Sequence, residues 1–244
     1  MIEKQLQVQT ADGVMSTFLA HPADQAALPV VVIYMDAPGI REELHGFARR
    51  IAAHGYCCLL PDLYYRRGLV RMNLDNMTEE MGREMFSHMR SLTNALVLAD
   101  TEALLEALES EPLAAPGPKG CIGYCMSGQF IMSVAGTFPE DFRASVSCYG
   151  VGIVTRQPDA PHLLAPNVRG EMFFAFAEQD EYVPDYIVPT LQETLNEHAV
   201  TYQIKTYPGT KHGFCFPERI GAYDEDAAED VWRRSFELFE RQLM

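Results

Sequence analysis

The sequence predicts an α/β fold: a mostly parallel central sheet with helices on both faces, opened by an antiparallel hairpin at the N-terminus. Three observations predict it. Wholly apolar runs such as "PVVVIYM" (residues 29–35) and "YCCLL" (56–60) read as strands covered on both faces. These runs alternate with helical stretches, the pattern of parallel strands joined by crossover helices. Ahead of them, residues 2–9 and 14–20 flank Asp12-Gly13, a dipeptide that favours tight hairpins.

The remaining elements follow in order. A helix is expected over 42–54, ending near Gly55, and the strand at 56–60 is closed by Pro61-Asp62. From 76 to 108 the pattern is helical, with Thr78 as N-cap and a break at 91–93. In this stretch Met77, Met81, Met85 and Met89 make one stripe, read as core or pocket wall, and His88 is read as packing. Residues 112–118 are a proline-bounded loop. "KGCIGY" is a short buried strand that leads into a helix carrying Phe130, Ile131 and Val134. Strands at 144–149 and 172–177 precede a helix over 186–198, for which Asp185 is placed as N-cap. A strand at 201–207 and an amphipathic helix over 224–242, with Val231, Trp232, Phe236 and Phe239 on its apolar face, complete the chain. Without repeats or a linker-like stretch, residues 1–244 read as one domain.

Composition excludes several classes of function. With 244 residues, 48% of them hydrophobic, the chain can bury a sizeable core. Its net charge of −15 repels nucleic acid and anionic membrane, which are therefore not expected as partners. The N-terminus lacks the apolar stretch of a signal peptide, and no run approaches the ~18 apolar residues of a membrane span. Six cysteines occur with neither a CxxC pair nor a Cys/His grouping at zinc spacing. A reduced, cytoplasmic protein, monomer or homodimer, is expected, with no metal or organic cofactor.

Chemistry is expected beyond the carboxyl ends of the strands, where ligands bind in open parallel sheets. There the chain presents Asp36, Cys125, Asp180 and His212. In "GYCMSG" the cysteine tops a strand–turn–helix elbow of form G-x-nucleophile-x-G, in which small flanking residues let strand and helix close together. Gly123 fits that form; Ser127 stands where the second glycine belongs, with Gly128 behind it. A free thiol has a pKa near ~8.5, so Cys125 needs a base, which His212 supplies, and Asp180 orients the imidazole. The backbone N–H groups of Met126 and Ala37 are the expected oxyanion donors. Glu181 and Asp185 are rival partners for His212. Ser127 as nucleophile is rejected, because Cys125 and not glycine lies two residues before it. Arg41, Tyr64, Tyr65, Arg66 and Arg67 read as a solvated rim.

The set "GYCMSG", "PDLYYRRG", "SCYGVG" and "GTKHGF" resembles the dienelactone hydrolase (carboxymethylenebutenolidase) family. The resemblance implies an α/β-hydrolase fold and hydrolysis of an ester or lactone, dienelactone first, with the triad on Cys125, His212 and Asp180. It also implies a carboxylate that takes the nucleophile's proton, at Asp36 here, one methylene shorter than the family's glutamate. Of two arginines that hold a substrate carboxylate, one falls on Phe216; the other is matched by Arg83, one residue beyond an ungapped count. Tyr124 adjoins the nucleophile as a substrate contact. The expected function is thus a thiol-dependent carboxylic ester or lactone hydrolase acting on a small molecule through an acyl-thioester. A broader carboxylesterase with activity on activated phosphoesters is the alternative, followed by a non-catalytic binding module of the same fold. A peroxide-sensing role for Cys125 lacks a resolving thiol.

Overall fold

A computed structural model describes residues 1–68, 70, 72 and 77–244. The chain forms two compact units, Met1–Gly117 and Pro118–Met244. The expected loop at 112–118 runs up to this boundary.

In the first unit, β1 (Ile2–Thr10) and β2 (Gly13–His21) form the expected hairpin, in register from Ile2 with His21 to Thr10 with Gly13. Gly13 turns the chain with φ of +137°, open to glycine and strained for other residues. β2 pairs antiparallel with β4 (Cys57–Pro61), which pairs parallel with β3 (Val30–Tyr34), giving the order β1-β2-β4-β3. Every residue of β3 and β4 is buried, as their unbroken apolar runs require. Helix α1 (Glu42–Ala53) packs on β4 and β2 and buries Leu44, Phe47, Ala48 and Ile51. The helical stretch divides at its expected break. Thr78 caps α2 (Glu79–Ser91) through the Met81 N–H, and Thr93 caps α3 (Asn94–Leu108) through the Leu96 N–H. Asn76, where the sequence suggested the stretch begins, lies outside the described residues. The methionine stripe is not core. Met77 is exposed, Met81, Met85 and Met89 are half-buried, and the one buried residue of α2 is His88, against the Tyr64 ring. An i, i+4 apolar stripe shows that a helix is amphipathic but not how fully its neighbours cover it.

In the second unit, β5 (Lys119–Tyr124), β6 (Phe142–Cys148), β7 (Glu171–Gln179) and β8 (Thr201–Lys211) lie side by side in that order, all parallel. Two glycines show which helix covers which face. A Cβ on Gly123 would lie 2.6 Å from Ile131 of α4 (Gly128–Thr137), and one on Gly120 would lie 3.1 Å from Phe239 of α6 (Glu225–Leu243). Residues three apart on a strand point to opposite faces, so α4 and α6 cover opposite sides. Asp224 caps α6 by accepting the Ala227 N–H. Helix α5 (Ile187–Glu197) packs on β8, but its N-cap is Tyr186, without a side-chain bond, so Asp185 is not the expected cap. β8 is longer than the 201–207 segment, because Pro208 and Gly209 are absorbed in a register shift and pairing resumes at Gln179 with Lys211. Gly209 makes that bend at φ of +73°, and its N–H donates to Glu178 Oε2 at 2.8 Å.

Candidate active site

Two strand registers place the candidate catalytic groups. β7 and β8 pair through Gln179 and Lys211, so the next residues, Asp180 and His212, leave the sheet side by side. β5 and β6 pair through Tyr124 and Cys148, so Cys125 and Tyr149 do the same.

Cys125 turns directly from β5 into a 3-10 turn over Cys125–Ser127 and then α4. Its φ is +53°, a left-handed conformation that non-glycine residues adopt at a cost of roughly 1–3 kcal/mol. The surroundings hold it there. Cys125 C=O accepts the Val151 N–H at 2.9 Å, and Val151 C=O accepts the Gln129 N–H at 3.1 Å. Gly128 lies against Gly150 so closely that a Cβ on Gly128 would sit 2.3 Å from the Gly150 Cα. The second glycine of the elbow is therefore needed at Gly128, where backbone meets backbone, and the buried Ser127 fits beneath the turn. Cys125 is half-buried, and all six cysteines are free thiols.

His212 Nδ1 lies 2.8 Å from Asp180 Oδ2. An ionised carboxylate only accepts, so Nδ1–H is the donor. The Asp180 side chain is 2% exposed, and its Oδ1 accepts the Tyr182 N–H at 3.0 Å. One carboxylate thus fixes both its own turn and the imidazole, which settles the competition between capping and pairing. On the other side of the ring, Nε2 is buried without a hydrogen bond of ordinary geometry among the described residues. The Cys125 sulfur is nonetheless close enough to favour the charged ring. Burial opposes the imidazolium, but the Asp180 hydrogen bond and Cys125 outweigh it and lift the His212 pKa from 6.5 to about 9. The arrangement can hold a proton on the imidazole and present a sulfur beside it.

The sequence did not single out the aromatic rings around His212. Tyr149 meets it edge-on at 5.0 Å and Tyr182 does so at 4.8 Å. Tyr149 also has positive φ, +38°, the one signal that could have marked it, but that signal belongs to the backbone and not to the residue type. Tyr124 and Phe216 are buried and meet edge-on at 5.1 Å, which makes them wall residues of this region. Tyr182 is half-exposed. Burial raises the pKa of its phenol, the negative groups Glu181, Cys125 and Asp180 add to that, and the Arg219 charge opposes them. Arg219 therefore brings a cation to the neighbourhood of Tyr182, a second group the sequence did not mark. Met126, an expected oxyanion donor, is the buried middle residue of the turn Cys125–Ser127.

The other expected site residues belong to the first unit. Asp36 follows β3, is 1% exposed, and is held by Arg41 through two contacts of 2.6 and 3.2 Å. Arg41 also reaches Glu43 at 2.8 Å, and it is an ion-pair centre with an 11% exposed side chain, not the solvated rim residue expected. Burial disfavours its charge, but the two carboxylates overcome that and raise its pKa. Arg66 likewise leaves the expected rim and forms two 2.7 Å bonds to the buried Asp100. Ala37 C=O accepts the Tyr64 hydroxyl at 2.9 Å. Arg83 lies on the solvent side of α2, its side chain 71% exposed, beside Glu79 at 3.3 Å. Among the described residues no group of three His, Cys, Asp or Glu is arranged to hold a metal, and no helix is long and apolar enough to cross a membrane.

Comparison with known proteins places the fold and the family. The chain is 26% identical over 93% of its length to a Synechocystis sp. protein that carries the name carboxymethylenebutenolidase by inference, 91% of which is covered. A Klebsiella pneumoniae structure, named by inference as a dienelactone hydrolase, superposes with a TM-score of 0.86 at 23% identity over 98% of both chains. A dienelactone hydrolase-like promiscuous phosphotriesterase from metagenomic libraries superposes with a TM-score of 0.80 at 19% identity over the whole of both chains. These likenesses show the α/β-hydrolase fold, with the N-terminal hairpin ahead of the parallel strands. The profile of the dienelactone hydrolase family matches residues 15–243, nearly the whole sequence, and the chain belongs to that family.

Proposed function

We propose that the protein is a thiol-dependent hydrolase of carboxylic esters or lactones, with Cys125 as nucleophile, His212 as acid and base, and Asp180 as the group that orients His212. The observation that carries this reading is the Asp180–His212 bond of 2.8 Å next to a cysteine held at φ of +53° on the strand-to-helix turn. Backbone strain of this kind persists where the surroundings impose it, and here it falls on a half-buried free thiol.

In the proposed cycle the thiolate sulfur attacks the acyl carbon, and a tetrahedral oxyanion forms against the Met126 N–H, with Ala37 N–H as the second expected donor. The C–O bond to the leaving group then breaks, and the imidazolium gives its proton to the departing oxygen. Water gives a proton to the neutral imidazole as its oxygen attacks the thioester, and breaking of the C–S bond releases the carboxylic acid and returns the thiolate–imidazolium pair. The raised His212 pKa supports the first half of this cycle, because the ring holds its proton at neutral pH.

For the substrate, the buried Phe216 supplies no charge where the family resemblance expects one, while Arg219 brings a cation to the same loop. Dienelactone remains the first substrate to test. The test is hydrolysis of dienelactone and of 4-nitrophenyl acetate by wild type and Cys125→Ala. Turnover that disappears in the variant supports the proposal, and equal rates would refute it.

A further inference from the structure

Two rings meet His212 edge-on, and they differ in what lies beyond them. Tyr149 is wholly buried, whereas Tyr182 is 50% exposed, so the Tyr182 ring borders the imidazole where solvent has access. Its place there is fixed by the carboxylate that orients the imidazole. Asp180 Oδ1 accepts the Tyr182 N–H at 3.0 Å, while Oδ2 accepts the His212 Nδ1–H at 2.8 Å. Asp180 C=O also accepts the Val183 N–H at 3.2 Å, which closes the turn that carries Tyr182. Ring and imidazole therefore stand 4.8 Å apart in the free protein, and a preorganised surface of this kind costs little ordering when a ligand packs on it. The Cys125 charge is felt at the Tyr182 phenol, which puts the ring in the neighbourhood of the sulfur as well.

Which part of a substrate meets this ring follows from what His212 does. In the cycle proposed above, the leaving oxygen comes within hydrogen-bond reach of the imidazole to take its proton. The group carried on that oxygen then lies beside His212, and the acyl group lies on the sulfur. A half-exposed ring next to the imidazole is placed to contact the former. Aromatic rings that meet edge-on or offset gain more than their buried area alone provides, so such a surface favours a partner that is itself aromatic.

We propose that Tyr182 determines leaving-group specificity: its ring packs against an aromatic leaving group, so that among open-chain esters those of phenols are preferred. The proposal rests on the reading of Cys125 as nucleophile and His212 as acid, and it names the alcohol half of the ester, which that reading leaves open.

The test compares phenyl acetate, 2,2,2-trifluoroethyl acetate and 2,2,2-trifluoroethyl benzoate in wild type, Tyr182→Ala and Tyr182→Phe. Tyr182→Ala should lower kcat/KM for phenyl acetate by about two- to tenfold more than for trifluoroethyl acetate, the scale of one aromatic pair. Tyr182→Phe, which keeps the ring, should keep the wild-type ratio. Trifluoroethyl benzoate carries its ring on the acyl side and should follow trifluoroethyl acetate. An equal loss on all three esters would mean that Tyr182 only holds His212 in place, and a loss confined to the benzoate would put the contact on the acyl side; either overturns the proposal. Phenol, the released product, tests the subsite without turnover, through NMR shifts at the Tyr182 amide of the full chain. Saturable shifts that Tyr182→Ala weakens by the same factor support the proposal, and equal affinity in a variant that melts like wild type overturns it. Cys125→Ala separates the two readings: hydrolysis that survives it refutes the thiol mechanism, whereas phenol binding indifferent to Tyr182 refutes the subsite.

Discussion

Replacing Asp180 by Asn tests the charge relationship on which the proposed chemistry depends. Asn keeps the size and an oxygen for the Tyr182 N–H, but deletes the charge that His212 Nδ1 faces at 2.8 Å. In the intact site burial alone would lower the His212 pKa; Asp180 and Cys125 instead lift it from 6.5 to about 9. At ~1.36 kcal/mol per pH unit this favours the charged ring by roughly 3 kcal/mol, and with the ring only 17% exposed, solvent screening removes little of it. With Asp180 gone, Cys125 alone opposes burial, and the pKa should fall to 6.5 or below. The sign follows from linkage. A pKa raised on folding adds stability that is complete below about 6.5 and is lost as pH rises through about 9. Urea unfolding of wild type should therefore weaken across that window, and Asp180→Asn should flatten the dependence. The rate of ester hydrolysis near neutral pH should fall by about 10²–10⁴, since Asn can hold the wrong tautomer. The assays are an NMR titration of the His212 ring proton and a pH–rate profile. A pKa still near 9 in the variant would refute the reasoning and turn attention to Glu181 or Asp185.

The other expectations are simpler. Gly128→Ala places a Cβ 2.3 Å from the Gly150 Cα, backbone that cannot swing aside, and should destabilise by the upper part of roughly 1–3 kcal/mol; Gly123→Ala, which meets the movable end of Ile131 at 2.6 Å, should cost less in the same thermal melts. Arg41→Met leaves Asp36 and Glu43 buried without the Arg41 cation and should cost about 3–5 kcal/mol in urea unfolding. Arg219→Met should lower kcat/KM for an anionic ester or lactone by about tenfold while sparing a neutral ester, one charge-assisted contact; an equal loss on both would place Arg219 in a purely structural role.

How far these features could be read from the sequence depends on what fixes each one. Helix limits set by local capping were legible: Thr78, Thr93 and Asp224 each accept a backbone N–H at the start of a helix, and each lies in a local pattern that announces it. The buried strands were legible for the same kind of reason, since a run without polar residues can only lie inside. The pairing of Asp180 with His212 was legible because both follow the carboxyl ends of strands, and β7 and β8 bring those ends side by side. The end of β8 was not, because Pro208 and Gly209 punctuate a loop and a bulge alike, and only the partner strand decides between them. Arg41 looked solvated since arginines usually are; its burial depends on Asp36 and Glu43 folding around it, although their closeness in sequence was a usable hint. Tyr149 lay within "SCYGVG" and Tyr182 two residues after Asp180, but neither was marked as a partner of His212, because an aromatic that packs on a histidine obeys no fixed spacing.

The strain in the second unit has a consistent logic. Its non-glycine residues with positive φ are Cys125, Tyr149 and Ala199, and the first two leave neighbouring strands at matched positions. Each costs energy, roughly 1–3 kcal/mol, that relaxation to an ordinary conformation would recover. Relaxation at either is blocked by the other's surroundings. The Val151 N–H donates to Cys125 C=O, the Tyr149 N–H donates to Ala175 C=O at 2.6 Å, and Gly128 and Gly150 touch through their backbones between the two turns. Cys125 cannot unwind without breaking the loop that carries Tyr149, and Tyr149 cannot turn away without giving up its contact with His212. Two strained residues therefore hold the sulfur and one wall of the imidazole in a fixed relation. The small residues of "GYCMSG" and "SCYGVG" are the parts of one joint, in which the strain at one turn is maintained by the packing of the other.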